Sequence, residues 1–258
     1  MLGPMEKPSR ISRAARGLRV SIFARLSERF RSLPPDFVPM HIGDTWRLPP
    51  EEARLETLDW GRAPDLYRYS HPSGLAPLLE ALARKLRERN GIPATPDWLQ
   101  VTHGATHALS CAARTLLDPG DEVLLLAPYW PLIPGVLSSM GAVPVEVPFS
   151  SRLLDRPDED VEALLEAART PRTRAVYFAT PNNPDGHVLT RAHLEALGGF
   201  LRRHDLFGLA DEVYEDTLYD GRTHVSLASL PGMAERTLSV YSFSKSYALA
   251  GARVGYVA

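Results

Sequence analysis

From about residue 97 the chain alternates short apolar, β-branched runs with stretches whose apolar positions recur every three or four residues. The apolar runs fall at 99–102, 122–127, 143–148, 174–180, 207–211, 238–243 and 253–258. Helical periodicity occupies the intervals near 105–117, 131–140, 158–169 and 190–204. Strands that alternate with helices predict a mostly parallel sheet with helices on both faces, here a three-layer α/β sandwich of seven strands. The last two runs lie too close together for a helical crossover, so the final strand is expected to run antiparallel.

Ahead of this alternation the pattern is weaker. Ile22, Phe23, Leu26 and Phe30 fall at helical spacing in an arm that extends to about residue 32. A proline-rich loop follows, then helical patterns near 50–59 and 75–90, with Gly91 placed to cap the second and Pro93 just beyond it.

Composition narrows the function classes. At 258 residues there is chain enough for one large α/β domain or two small ones. A net charge of -2 gives no global attraction to nucleic acid or to a membrane surface. One cysteine, Cys111, excludes an internal disulfide and a multi-cysteine metal site. No apolar run approaches the ~18 residues of a membrane span. The first 31 residues are arginine-rich with only Glu6 and Glu28 acidic, which suits a transit peptide or a solvated amphipathic arm. The helical spacing favours the arm, and a cytoplasmic address is the expectation.

Ligands of open α/β sheets bind beyond the carboxyl ends of the strands. The suggestive polar clusters of this chain sit there: His103-Gly104-Ala105-Thr106, Pro128-Tyr129-Trp130-Pro131, Thr180-Pro181-Asn182-Asn183-Pro184, Asp211-Glu212-Val213-Tyr214 and Ser242-Phe243-Ser244-Lys245. Lysine is rare here (Lys7, Lys85 and Lys245 only), and Lys245 closes an apolar run. Unlike arginine, a lysine amine can condense with an aldehyde once its pKa is lowered. Ser242 and Arg253 stand near it, the latter between Gly251 and Gly255, a hydroxyl and a guanidinium suited to a phosphate dianion. An amine next to a phosphate clamp is what pyridoxal phosphate requires.

The other clusters read in two ways each. Gly104, Ala105 and Thr106 suit an anion at a helix N-terminus, or an ordinary helix start. Trp130 suits a stack on a cofactor ring, or the rim of the core. Asp211 ends an apolar run, where a carboxylate needs a partner such as a protonated pyridine nitrogen, or else caps a loop. Asn183 and Tyr214 can donate to a phenolate oxygen, or serve as a turn Asn and a packed Tyr. His103 and His107 are four apart without an H-E-x-x-H pattern, so a zinc site is not expected.

Taken in order, the N-P pair with Asn183, the D-x-x-Y of Asp211 and Tyr214, S-x-S-K and G-x-R-x-G resemble the class I/II aminotransferases, fold-type I enzymes that depend on pyridoxal phosphate. The resemblance implies that Lys245 is the Schiff-base lysine, that Asp211 partners the pyridine nitrogen, and that Asn183 and Tyr214 bind the phenolic oxygen. It makes Trp130 the stacking aromatic and places Gly104, Ala105, Thr106, Ser242 and Arg253 around the phosphate. Gly43, Trp130 and Asn183 are implied beside the substrate. Tyr69 is similar to the tyrosine that reaches the neighbouring subunit's phosphate, which implies a homodimer. The division implied is an arm and substrate-proximal loop over 1–48 and a cofactor-binding large domain over 49–258. The family continues past G-x-R-x-G into a small domain with a carboxylate-binding arginine, so that C-terminal domain is expected to be missing here. Pro184-Asp185-Gly186 departs from the usual threonine in a turn that tolerates Asp.

The activity this implies moves an amino group between an L-amino acid and a 2-oxo acid. A β-eliminating lyase of the C–S or cyclopropane-forming type would share every motif quoted. A non-catalytic ligand-sensing domain is disfavoured because no helix-turn-helix pattern precedes residue 32.

Overall fold

Seven strands make one sheet in the computed structural model, which describes residues 67–155 and 160–258 continuously, 47–57, and scattered positions between 12 and 61. The strands are β1 (Gln100–Thr102), β2 (Glu122–Ala127), β3 (Val143–Pro148), β4 (Thr173–Ala179), β5 (Phe207–Asp211), β6 (Thr237–Ser242) and β7 (Gly255–Val257). Their spatial order is β1-β7-β6-β5-β4-β2-β3. Pairing is parallel throughout except at β7, which runs antiparallel to both β6 and β1. Residues 243–254 between β6 and β7 hold only a short 3-10 turn, Ala250–Ala252, so the chain turns back as expected.

The helices are α1 (Ala76–Lys85), α2 (Ala105–Leu116), α3 (Ile133–Ser138), α4 (Ser150–Asp155), α5 (Val161–Ala168) and α6 (Arg191–Arg203). Alternate residues of the central strands feed opposite faces. Leu124, Leu126, Val176 and Phe178 pack with α5 and α6, while Val123, Leu125, Tyr177 and Leu209 pack with α2 and α3. Because both faces are covered, β2 and β4 read as continuous apolar runs. A third cluster joins Leu79, Leu82 and Leu86 to Tyr241 and Tyr256, so α1 covers the β6–β7–β1 end.

Local signals explain the boundaries. Asp160 caps α5 by accepting from the Glu162 and Ala163 N–H groups, and Thr190 caps α6 with His193 completing a capping box. A π turn, Leu86–Asn90, extends α1 and ends at Gly91 with φ 67°.

Two expectations are corrected. The 50–59 pattern is no helix but two 3-10 turns, Glu51–Ala53 and Leu55–Thr57, with extended backbone at Arg54 between them. None of those residues is buried, and a short helix without a packed face is not stable. The 158–169 pattern shortens to α5, and α4 forms ahead of it from a segment too short to show a period. Of the arm, Leu26 and Phe30 are helical and half-buried. Ile22 and Phe23 lie outside the described residues.

Candidate active site

The carboxyl ends of the parallel strands and the start of α2 open on one cleft of about 1370 Å³. Gly43, Ala105, Thr106, Trp130, Asn183, Asp211, Tyr214, Ser242, Lys245 and Arg253 all line it. Residues spread over more than two hundred positions of chain meet because every parallel strand delivers its last residue to the same edge.

Asp211 is the last residue of β5 and points to the α2 face, where it is buried. The Tyr177 hydroxyl donates to its Oδ2 at 3.0 Å, and the Val213 N–H to its Oδ1 at 3.4 Å. Burial raises the carboxyl to about 6; those two hydrogen bonds oppose the shift, and the neighbouring Glu212 charge adds to it. A cationic N–H aimed at Asp211 would relieve this penalty. Just beyond, Tyr214 and Asn183 share a hydrogen bond, while burial and Asp211 push the Tyr214 hydroxyl up. They form a pair of polar groups suited to one ring oxygen.

The Lys245 amine donates to the Gly43 carbonyl and lies 5.7 Å from the centre of the Tyr214 ring. A side chain at Gly43 would begin 3.4 Å from Nζ and 3.5 Å from the Tyr214 hydroxyl, so the Gly43 backbone lies directly against the amine.

A cradle suited to an anion opens on the same cleft. Gly104 precedes α2 at φ 77° and ψ 171°, a backbone conformation close to glycine-only, and Ala105 and Thr106 head the helix. The Arg253 guanidinium fills the space over Gly104, where a Cβ would come within 2.3 Å of Nη2. Its Nη1 donates to Ala250 O at 2.8 Å and to Ser244 Oγ at 3.4 Å. Ser242 Oγ donates to Ser244 Oγ at 2.9 Å, which brings both hydroxyls to the same corner. Trp130 lines the cleft and also packs against the α2–α3 core, which places it at the rim of that core.

An acid buried with no cation beside it among the described residues, an amine, and a helix-start cradle with a guanidinium fit the nitrogen, the aldehyde and the phosphate of pyridoxal phosphate. The sequence agrees with the family description "Aminotransferase class I and II" over residues 35–258. The chain belongs to that family. Members of fold type I in this family use pyridoxal phosphate. The chain is 38% identical over 223 residues to a probable aspartate/prephenate aminotransferase of Thermus aquaticus, covering 86% of this chain and 54% of that protein. It is 42% identical over 190 residues to the arginine–pyruvate transaminase of Pseudomonas aeruginosa, covering 73% of this chain and 47% of the relative. Among solved structures, a Thermus thermophilus aspartate aminotransferase double mutant superposes with a TM-score of 0.85 at 34% identity, over 97% of this chain and 64% of that one. The chain thus spans about half the length of the curated relatives it matches.

Two predicted site residues stand apart. Gly104 does not line the cleft and acts by admitting Arg253. Tyr69 is fully exposed and lines no part of the cleft. His103 and His107 stack on each other at 5.2 Å, and His107 Nδ1 accepts from the His103 N–H. Asp185 closes its turn by accepting from Asn182 Nδ2 at 2.7 Å and the His187 N–H at 3.1 Å.

Sequence reasoning overlooked Tyr177, Ser244 and Gly255. At Gly255 a Cβ would stand 2.7 Å from the Gly104 carbonyl carbon and 2.9 Å from Ala105 N, so only glycine lets β7 pass under the cradle. The last glycine of G-x-R-x-G was the available signal. Ser244 had one too, as the second serine of S-x-S-K. Tyr177 had none.

Proposed function

We propose that this chain is the cofactor-binding part of a pyridoxal-phosphate-dependent aminotransferase that exchanges an amino group between an L-amino acid and a 2-oxo acid. What carries this reading is the convergence of the Lys245 amine, the buried Asp211 and the Gly104–Arg253 cradle on one cleft. Relatives named for aspartate, prephenate and arginine transamination support it.

When bound, the cofactor supplies an aldehyde for covalent attachment and a ring that accepts electrons. Ala105, Thr106, Ser242 and Arg253 hold the phosphate by N–H, hydroxyl and guanidinium donors. Asp211 holds the proton on the ring nitrogen, and its own ionisation becomes favourable once that cation is beside it. Asn183 and Tyr214 donate to the ring oxygen, and Trp130 covers one ring face. Gly43 O orients the Lys245 amine, which would take the proton from the substrate Cα. We assign 49–258 to the cofactor-binding domain and 1–48 to an arm and substrate-proximal loop, most of which lies outside the described residues. Two copies pair so that Tyr69 of each reaches the other's phosphate, and the protein works in the cytoplasm. Among the described residues no helix is long and apolar enough to cross a membrane.

The test is titration with pyridoxal phosphate followed by borohydride reduction and peptide mapping. The adduct is expected on Lys245. An adduct on Lys85, or none, refutes the reading. Release of pyruvate without a 2-oxo acid acceptor would count against amino transfer.

A further inference from the structure

The segment Asp211-Glu212-Val213-Tyr214-Glu215 divides its polar side chains between two sides of the sheet. Asp211 and Tyr214 line the cleft. Glu212 and Glu215 go the other way, into a polar network under α1. Glu212 is fully buried, and four groups gather on its carboxylate. Ser226 Oγ donates at 2.5 Å and the Tyr241 hydroxyl at 3.0 Å to Oε2, and Ser239 Oγ donates to Oε1 at 3.1 Å. His224 Nε2 meets Oε2 at 2.7 Å. Glu215 is held by Lys85 and, at 2.7 Å, by Asn90 Nδ2, which also donates to Ser226 Oγ at 3.0 Å. Lys85 Nζ in turn lies 4.3 Å over the Tyr241 ring.

This network does not touch the cleft, yet it fixes Glu212, the residue after Asp211, and Glu215, the residue after Tyr214. A buried carboxylate with four partners is costly to disturb, since any shift leaves polar groups unpaired. The strand end is therefore held at its back while its front faces the cofactor. The charge of Glu212 also adds to the upward push on Asp211.

We propose that Glu212 and Glu215 are positioning residues that clamp this turn from behind and so set the Asp211 carboxylate and the Tyr214 hydroxyl against the cofactor. The inference rests on the cofactor reading above. Neither residue touches substrate or cofactor; they act through the backbone of the turn.

The test compares Glu212→Ala, Glu212→Gln and Glu215→Gln with the unaltered chain. Three quantities are read: affinity for pyridoxal phosphate, the pH midpoint of the bound cofactor's visible absorbance, and unfolding of the cofactor-free chain. Glu212→Ala should weaken cofactor affinity about tenfold or more and move the pH midpoint. Glu212→Gln should recover affinity to within roughly threefold, because one oxygen still serves Ser226, His224 and Tyr241 while the amide faces the Ser239 hydroxyl. Glu215→Gln loses the Lys85 charge pair and should fall between the two. If Glu212→Ala does not fold, Ser239→Ala and Tyr241→Phe each remove a single donor and should weaken affinity about two- to fivefold, with a midpoint shift in the same direction. Lower unfolding stability with unchanged affinity and midpoint would show a merely structural role and overturn the proposal. So would Gln as damaging as Ala. If the unaltered chain takes no cofactor at Lys245, the functional reading fails and this one with it. Binding at Lys245 with variants matching the unaltered chain sinks the positioning role alone.

Discussion

Burial lifts the Asp211 carboxyl from 3.8 to about 6, so the cofactor-free fold is penalised once that group ionises. A pKa raised in the folded state contributes stability that is present below the unfolded value and lost as pH rises through the folded one. The window is therefore pH 4 to 6, and a shift of this size is worth roughly 3 kcal/mol at pH 7. Asp211→Asn removes the titration. The cofactor-free variant should resist denaturant better than the unaltered chain at pH 7, with the gap closing near pH 4. A variant less stable at pH 7 would mean that the ionised carboxylate is stabilising. At Lys245 the expectation is simpler: Lys245→Arg keeps the charge and abolishes the reduced cofactor adduct, since a guanidinium cannot form the covalent link. Both residues were legible because each closes an apolar run, a local signal. Tyr177 was not, because a tyrosine inside an apolar strand reads as core. Only the β4–β5 pairing, which sets Ala179 beside Asp211, brings its hydroxyl to that carboxylate.

Strand β7 and the start of α2 together make the corner proposed for the phosphate, and two glycines let them approach by different means. A Cβ on Gly255 meets backbone atoms of Gly104, Tyr241 and Ala105 at 2.7–2.9 Å, none of which can rotate away. Gly255→Ala should lower stability by about 3 kcal/mol in denaturant unfolding, with or without cofactor. A Cβ on Gly104 meets the far end of Arg253, which can swing aside, although the backbone there is strained for any other residue by about 1–3 kcal/mol. Gly104→Ala should therefore lose phosphate and cofactor affinity out of proportion to its stability, as a Kd measured beside an unfolding curve would show. Equal losses in both variants would contradict this account. The elements themselves were readable where apolar periodicity coincided with burial, as in β2, β4 and α6. The 50–59 stretch carried a helical pattern with no packing surface to hold it, and α4 carried too few residues for any pattern. Strand order was legible only in part: the alternation implied parallel pairing, and the short 243–254 connection implied the one reversal, but β7 lying between β6 and β1 is a property of the assembled sheet.

At the scale of the whole molecule, large apolar side chains are exposed mainly before α1: Phe37, Val38, Met40, Leu48, Leu55 and Leu75, with Tyr67 and Tyr69 among them. Exposed apolar residues gathered in one stretch of chain suit contact with a second copy. Pairing would also place Tyr69, which stands clear of its own cleft, at the cleft of the neighbour. Sedimentation should therefore show a dimer, with cofactor affinity falling on dilution as the copies separate. Tyr69→Phe removes one hydrogen bond and should weaken cofactor binding by about fivefold, equivalent to roughly 1 kcal/mol. The decisive arrangement mixes Tyr69→Phe chains with Lys245→Ala chains. In a hybrid, the site that retains Lys245 receives an intact Tyr69 from its partner, so one site per hybrid should regain unaltered affinity and a reducible adduct. If the tyrosine acted within its own chain, the hybrid would bind no better than the Tyr69→Phe homodimer, and the shared site would have to be abandoned.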